Sequence, residues 1–360
     1  MGDNTYRIIG LMSGTSLDGL DIAFCTFSEK NGSWSFKLEA FKQVDYSDKR
    51  IEELREAIMW PAPRLLEYDY SYGVWLGEQV NLFIDENGLE VDLIASHGHT
   101  IHHQPENGFT TQIGSGQAIA KETGIPTIAD LRSKDVAYGG QGAPLVPIGD
   151  KLLFGEFDCC LNLGGIANIS FEKDGKRIAY DIGPANMLLN YLAGQKGLIY
   201  DDGGKLAEMG EVDQSLLKEL NDLAYYLEGY PKSLGFEWFV SDLKPLVDKS
   251  NASVENKMAT AVAHEAHQIA NAVLRDLPES TTSRLLVTGG GAKNNTLIKT
   301  LSTLMEGRVH VYVPEEWLID YKEAIVFALM GVLRYRNEVN CLSSVTGASN
   351  DVSGGVVFLP

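Results

Sequence analysis

Residues 10–21 read GLMSGTSLDGLD and place the hydroxyls of Ser13, Thr15 and Ser16 within four residues, interrupted by Gly14 and followed by Asp18 and Asp21. Hydroxyls donate to phosphate oxygens, glycine lets the backbone pass close to a ligand, and carboxylates suit a hydrated divalent cation. The flanking runs Tyr6–Ile9 and Ile22–Phe27 have strand character, so the motif is expected as a turn between two strands. A plain hairpin would also favour Gly, Ser and Asp. It has no need of three hydroxyls and two following carboxylates.

Two more glycine turns have similar surroundings. Asn162, Gly164, Gly165 and Asn168 lie between strand-like runs in CCLNLGGIANISFE, and Gly289, Gly290, Gly291 and Asn294 stand at a strand-to-helix junction in RLLVTGGGAKNN. Backbone N–H groups at such junctions face anions. Each turn alone is an ordinary connection; the three together point to one nucleotide held in a cleft between two related halves. The chain has no Walker lysine pattern and no GxGxxG after its first strand, so neither a P-loop nor a Rossmann site is indicated.

Asp181 ends the run RIAYD and precedes Ile182, Gly183, Pro184, Ala185 and Asn186. It is either a carboxylate held rigidly at a strand end or the cap of the helix that follows, and the sequence leaves both open. SHGHTIHHQP (96–105) holds His97, His99, His102 and His103, four of the seven histidines. His-x-His is a zinc spacing, yet no carboxylate or cysteine stands at ligand distance in sequence, which favours hydrogen bonding to a polyhydroxy ligand. Asp130 and Arg132 close the next strand and offer an acceptor and a forked donor for sugar hydroxyls or a carboxylate; a surface ion pair is the plainer alternative. His264 and His267 lie beside the core face of a long helix and are expected to pack or face solvent.

The elements that must position these groups alternate along the chain. A three-strand meander is followed by helices starting near Asp48 and Pro63, then by alternating strands and helices, which argues for an α/β arrangement with mostly parallel pairing. Residues 131–150, rich in Gly and Pro, read as a loop crossing between domains. The expected division is an N-terminal domain, 1–135, with the first phosphate turn and much of a sugar site, and a C-terminal domain, 136–360, whose last residues pack back on the first.

The net charge of -19 argues against nucleic-acid or anionic-membrane partners. It leaves room for an anionic small molecule, since screening over about 8 Å isolates a local site from distant carboxylates. Cys25, Cys159, Cys160 and Cys341 show no paired spacing, the N-terminus has no signal-peptide pattern, and no apolar run reaches spanning length. These features fit a reduced, cytoplasmic setting.

The segments GLMSGTSLDGLD, SHGHTIHHQP, DLRSKDVAYGGQGAPLVP, LNLGGIANIS, DIGPANMLLN, VTGGGAKN and KEAIVFA resemble, in order, the signature segments of the anhydro-N-acetylmuramic acid kinases, from about Ile8 to Phe327. The resemblance implies a two-domain actin-like ATPase of ribonuclease H-like halves with a central nucleotide cleft, using ATP and Mg²⁺. It implies opening of a 1,6-anhydro sugar by water, with phosphorylation at O6. Carried over by position, Gly10, Ser13, Gly14, Thr15, Ser16 and Asp18 would hold phosphates, with Asn162, Gly164 and Gly165 facing them. Gly289, Gly290, Gly291 and Asn294 would hold the nucleotide, and Asp181 would be the base. His97, Gly98, His99, Thr100, Asp130, Arg132, Pro184 and Asn186 would serve the sugar, and Asp18, through water, and Glu323 the metal. A homodimer is implied by the family alone. Three departures are expected to bear on the sugar: His99 in place of the family's glutamine, Ile182 and Ala185 within DIGPAN, and Ile148-Gly149-Asp150 after GAPLVP. An ordinary sugar kinase and a chaperone- or actin-like ATPase remain the alternatives, and sugar-dependent ATP consumption separates them.

Overall fold

The computed structural model describes residues 4–277 and 282–360; Met1–Asp3, part of the N-terminal stretch considered above, lie outside them. Thirteen strands are present among the described residues: β1 Asn4–Ser13, β2 Gly19–Lys30, β3 Ser33–Asp45, β4 Leu93–Ser96, β5 His99–Gln104, β6 Phe109–Ile113 and β7 Thr127–Ala129, then β8 Cys159–Leu163, β9 Ile166–Lys173, β10 Lys176–Pro184, β11 Ser283–Thr288, β12 Val309–Tyr312 and β13 Val356–Phe358. They fall into two compact units: Met1–Leu153 with Tyr321–Pro360, and Phe154–Asp320.

The first unit has a sheet ordered β13-β7-β4-β1-β2-β3. β1, β2 and β3 form an antiparallel meander, and β4 and β7 add parallel strands on the other side of β1. The second unit repeats the scheme as β10-β9-β8-β11-β12, with β8, β9 and β10 antiparallel and β11 and β12 parallel. Apart from the edge strand β13, which pairs antiparallel with β7, the two sheets share one order, three antiparallel strands and then two parallel ones; they are ribonuclease H-like halves, the pairing that defines the actin-like ATPase fold. Local patterning explains the faces: β3 alternates strictly between exposed and half-buried positions, as an edge strand does, while β2 is buried on most positions between neighbours.

The division falls at Leu153/Phe154, with a return at Tyr321, and differs from the expected 135/136 boundary. The loop after β7 is bound into the first unit by specific contacts. Buried Asp135 accepts from Gly142 N at 2.7 Å, Thr346 Oγ1 at 2.7 Å and Cys341 Sγ at 3.3 Å. Asp150 pairs with Lys322 at 2.7 Å, and a Cβ on Gly149 would lie 2.3 Å from Val326. The loop also contains two short helices, Ser133–Ala137 and Pro147–Leu153, where an unbroken loop was expected. The whole segment from Tyr321 returns to the first unit, rather than the last residues alone, because its helix packs directly on strands. A Cβ on Gly10 would sit 2.1 Å from Ala324 O, and one on Gly331 would sit 2.5 Å from Ala95 Cβ.

Each unit has its own apolar core. Ile9, Leu11, Ile22, Leu76 and Phe83 anchor the first, and Leu161, Ile169, Leu188, Ile269 and Val287 the second. All four cysteines are free and buried. No helix among the described residues is long and apolar enough to cross a membrane.

Candidate active site

In the first unit, the turn between β1 and β2 leaves Thr15, Ser16 and Asp18 exposed and closes through Leu17 N to Gly14 O at 3.3 Å. Leu17 takes a φ of 60°, a left-handed conformation uncommon for a leucine, and Ser16 Oγ donates to Asp18 Oδ1 at 2.7 Å. The turn therefore presents hydroxyls outward on a constrained backbone. Ser13 does not share this role. Its hydroxyl is buried against Tyr46, Tyr72 and His99, so the side chain anchors the end of β1 and is unavailable to phosphate. Gly10 likewise serves the close approach to Ala324 rather than a ligand.

Glu323 keeps an exposed surface although protein encloses it on most sides. That enclosure raises its carboxyl pKa, Arg132 and Lys322 offset the effect, and the nearby Asp18 adds to it. A divalent cation would relieve the negative charge that Asp18 places beside Glu323, so these two hard oxygen donors fit Mg²⁺. Among the described residues no cluster of three or more histidine, cysteine or acidic side chains converges as a metal site.

SHGHTIHHQP forms a bend and then β5, which pairs with β6. Gly98, at φ 71°, passes within 2.5 Å of Ile113 O at its would-be Cβ, so the bend requires a glycine. His97 is buried, donates from Nδ1 to Gly98 O at 2.8 Å, and accepts at Nε2 from Arg132 Nε at 2.9 Å. Arginine supplies only donors, so Nε2 is the acceptor and the ring is the neutral Nδ1–H form. Burial first and the Arg132 charge second hold its pKa well below the usual histidine range. His97 thus orients Arg132 and has no nitrogen left for a sugar.

Arg132 also donates from Nη1 to Gly142 O at 2.6 Å, and burial lowers its pKa to about 10, with Glu323 the largest opposing influence. Asp130 is exposed at a φ of 56° and receives Ser133 N at 3.4 Å. Thr100 is half-buried and accepts from Gln112 Nε2 at 3.3 Å. Asp130 and Arg132 directly follow β7, and Thr100 lies on β5.

In the second unit the two remaining glycine turns meet. A Cβ on Gly289 would lie 2.5 Å from Asn162 Oδ1 and 2.9 Å from the Leu163 carbonyl carbon, and Gly289 has a φ of 80°. A Cβ on Gly291 would lie 2.7 Å from Leu163 Cβ. Gly164 and Gly165 have no such crowding at the Cβ position, which leaves space beside their Cα atoms, while their carbonyls accept from Asn186 N and from Ala185 and Met187 N. Asn186 fastens the pair of turns, donating from Nδ2 to Leu163 O at 3.0 Å and from its backbone to Gly164 O at 3.1 Å. It positions the turn. Asn294 is buried and accepts from Leu297 N at 3.0 Å, capping the helix Asn295–Leu304.

Asp181 sits on β10 immediately before a bulge between Asp181 and Gly183, which re-aims the strand. It does not cap the following helix. Its Oδ2 accepts from Leu234 N at 2.9 Å, its backbone accepts Tyr225 OH at 2.7 Å, and its N–H reaches Lys232 O at 3.2 Å. Burial raises its carboxyl pKa, against the Leu234 N–H and the Lys232 charge. The result is a fixed carboxylate with Oδ1 left for another donor and a basicity above that of a free aspartate. Ile182 and Ala185, expected to bear on the sugar, are instead buried in the apolar core. Pro184 is buried too, and with Asp150 ion-paired and Gly149 packed on Val326, the two departures are matters of packing.

Three groups were not singled out from the sequence. Tyr46 and Tyr72 give no sequence signal beyond aromatic character. Glu265 does: it falls on the apolar face of the helix Val254–Asp276, three residues after Val262 and four before Ile269. It is sealed from solvent, its Oε1 has no hydrogen-bond partner, and burial raises its pKa to about 8. His264 beside it packs as expected, with Nδ1 2.6 Å from Asn221 Oδ1 and Nε2 3.0 Å from Tyr226 OH.

The family model for anhydro-N-acetylmuramic acid kinase matches residues 6–360. A protein of that name from Haemophilus influenzae is 35% identical over 97% of this chain and 97% of its own length. Those from Rhizorhabdus wittichii and Hydrogenovibrio crunogenus are each 36% identical, over 98% of both chains. With a match along the whole sequence, on paired ribonuclease H-like units that carry the glycine turns and the fixed aspartate, the chain belongs to the anhydro-N-acetylmuramic acid kinase family.

Proposed function

We propose that this protein is an ATP-dependent kinase that opens the 1,6-anhydro bridge of 1,6-anhydro-N-acetylmuramic acid with water and phosphorylates O6. The product is N-acetylmuramic acid 6-phosphate. The observation that carries the reading is Asp181, which is buried enough to be basic and held through one carboxylate oxygen only.

The substrate dictates the use of that base. In an anhydro sugar O6 is an ether oxygen with no proton, so a base aimed at O6 has nothing to remove. Asp181 takes a proton from water as the water oxygen bonds to C1. The C1–O6 bond breaks, O6 takes the γ-phosphoryl group, and ADP departs. In the second unit, the uncrowded Gly164 and Gly165, with Gly289–Gly291 packed against the same turn, suit the nucleotide's phosphates. In the first unit, Thr15 and Ser16 offer hydroxyls to phosphate oxygens, and Asp18 with Glu323 would hold Mg²⁺, whose charge offsets that of the transferring phosphoryl group. Arg132, Asp130 and Thr100 are among the groups that offer the sugar polar contacts.

The test is incubation with ATP, Mg²⁺ and 1,6-anhydro-N-acetylmuramic acid, followed by mass analysis. The expected product carries one phosphate and one added water. A phosphorylated sugar that retains the anhydro bridge, or equal ADP release with and without sugar, overturns the reading.

A further inference from the structure

Ser13 Oγ, at the end of β1, has neighbours from three other parts of the first unit. The hydroxyls of Tyr46, after β3, and Tyr72, on the helix Ala62–Asn87, donate to it at 2.7 and 3.1 Å, and His99 Nδ1 on β5 lies 2.9 Å away. All four side chains are buried. A serine hydroxyl has two lone pairs and one proton. The tyrosines fill the lone pairs, so the proton goes to His99 Nδ1. An imidazole that accepts at Nδ1 and is neutral carries its hydrogen on Nε2. Burial excludes the doubly protonated ring, lowering the His99 pKa to about 4.

One rival arrangement exists. The tyrosine oxygens are 2.9 Å apart, and a proton turned along that edge would free a lone pair on Ser13 and require His99 to donate from Nδ1. The donor geometry of both tyrosines toward Ser13 favours the first arrangement.

We propose that Tyr46 and Tyr72, acting through Ser13, hold His99 as an Nε2–H donor to an acceptor oxygen of the sugar substrate. Tyr46, Tyr72 and Ser13 are positioning residues; His99 makes the contact. The sugar contact rests on the kinase reading above, whereas the tautomer does not. A neutral donor at this place selects an ether, carbonyl or hydroxyl oxygen without adding charge. Glutamine can fill both roles, accepting the Ser13 proton at Oε1 and donating from its amide, whereas leucine fills neither.

Nitrogen NMR of ¹⁵N-histidine-labelled protein without ligand reads the tautomer, with His99 assigned by its loss in His99→Gln. The expected spectrum has Nε2 protonated and Nδ1 unprotonated; a protonated Nδ1 overturns the proposal. In steady-state kinetics, His99→Leu should raise the KM for 1,6-anhydro-N-acetylmuramic acid by about tenfold, the scale of one lost hydrogen bond, with the KM for ATP unchanged. His99→Gln should recover most of that loss. Tyr46→Phe with Tyr72→Phe should give a mixed tautomer and a few-fold rise in sugar KM alone. An unchanged sugar KM in His99→Leu, or equal rises for both substrates, contradicts the contact. Absence of sugar-dependent turnover in the wild type would instead reject the kinase reading and leave the NMR result to decide the tautomer.

Discussion

Glu265→Gln should remove a large pH dependence from the stability of the second unit. Burial is the cause of the raised pKa, and no charged or polar partner compensates Oε1. In the folded protein the carboxyl keeps its proton up to about pH 8, whereas the unfolded chain releases it near 4.5. The unfolded state therefore binds fewer protons between those values, and stability is fully present below the lower one and lost as pH rises through the upper one. At ~1.4 kcal/mol per pH unit, raising the pH from about 5.5 to about 8.5 should cost the wild type roughly 3 kcal/mol through this group. Glutamine does not titrate. Urea unfolding of wild type and Glu265→Gln at the same series of pH values gives the difference directly, because other groups cancel. That difference should move by roughly 3 kcal/mol in the variant's favour on going alkaline. A difference that stays constant would show that Glu265 is not held neutral and would refute the reasoning.

Gly289→Ala should abolish most sugar-dependent ATP turnover, because its φ is 80° and the new Cβ would meet Asn162 Oδ1 at 2.5 Å and the Leu163 carbonyl carbon at 2.9 Å. Nucleotide binding measured by calorimetry should weaken along with turnover; wild-type affinity would contradict the part assigned to this turn. Asp135→Ala leaves the buried donors of Gly142, Thr346 and Cys341 without their acceptor and should cost about 2–4 kcal/mol in chemical denaturation. A cost below about 1 kcal/mol would mean that the Gly-rich loop is held by other contacts.

The meander Tyr6–Val44, the glycine turns and the strand-end aspartate were legible because strand alternation and turn chemistry are local properties. The partners of those residues were not. Ser13 reads as a phosphate ligand in sequence, and only the approach of Tyr46, Tyr72 and His99, at separations of 33, 59 and 86 residues, shows that its hydroxyl is already engaged. Asn294 and Asn186 have structural partners that the sequence did not show, since an asparagine beside glycines can bind a ligand, fasten a turn or do both. The domain boundary was missed because Gly and Pro suggest a free linker, whereas Asp135 and the Asp150–Lys322 pair tie the loop to distant parts of the first unit. Ile182 and Ala185 are apolar and would have been assigned to the core by hydrophobicity alone, had the neighbouring motif not drawn attention to the sugar.

The central claim is that Asp181 activates a water that attacks C1. Running the wild-type reaction in ¹⁸O-water and examining C1 at once, before anomeric exchange, should place the label on C1, with phosphate on O6. Asp181→Asn keeps the shape and removes the base, so turnover should fall by roughly 10²–10⁴-fold while nucleotide binding is largely kept. Because burial raises the Asp181 pKa, wild-type turnover should fall as pH drops through that raised value. An unlabelled C1 oxygen, or an Asp181→Asn enzyme of near wild-type rate, would contradict the mechanism.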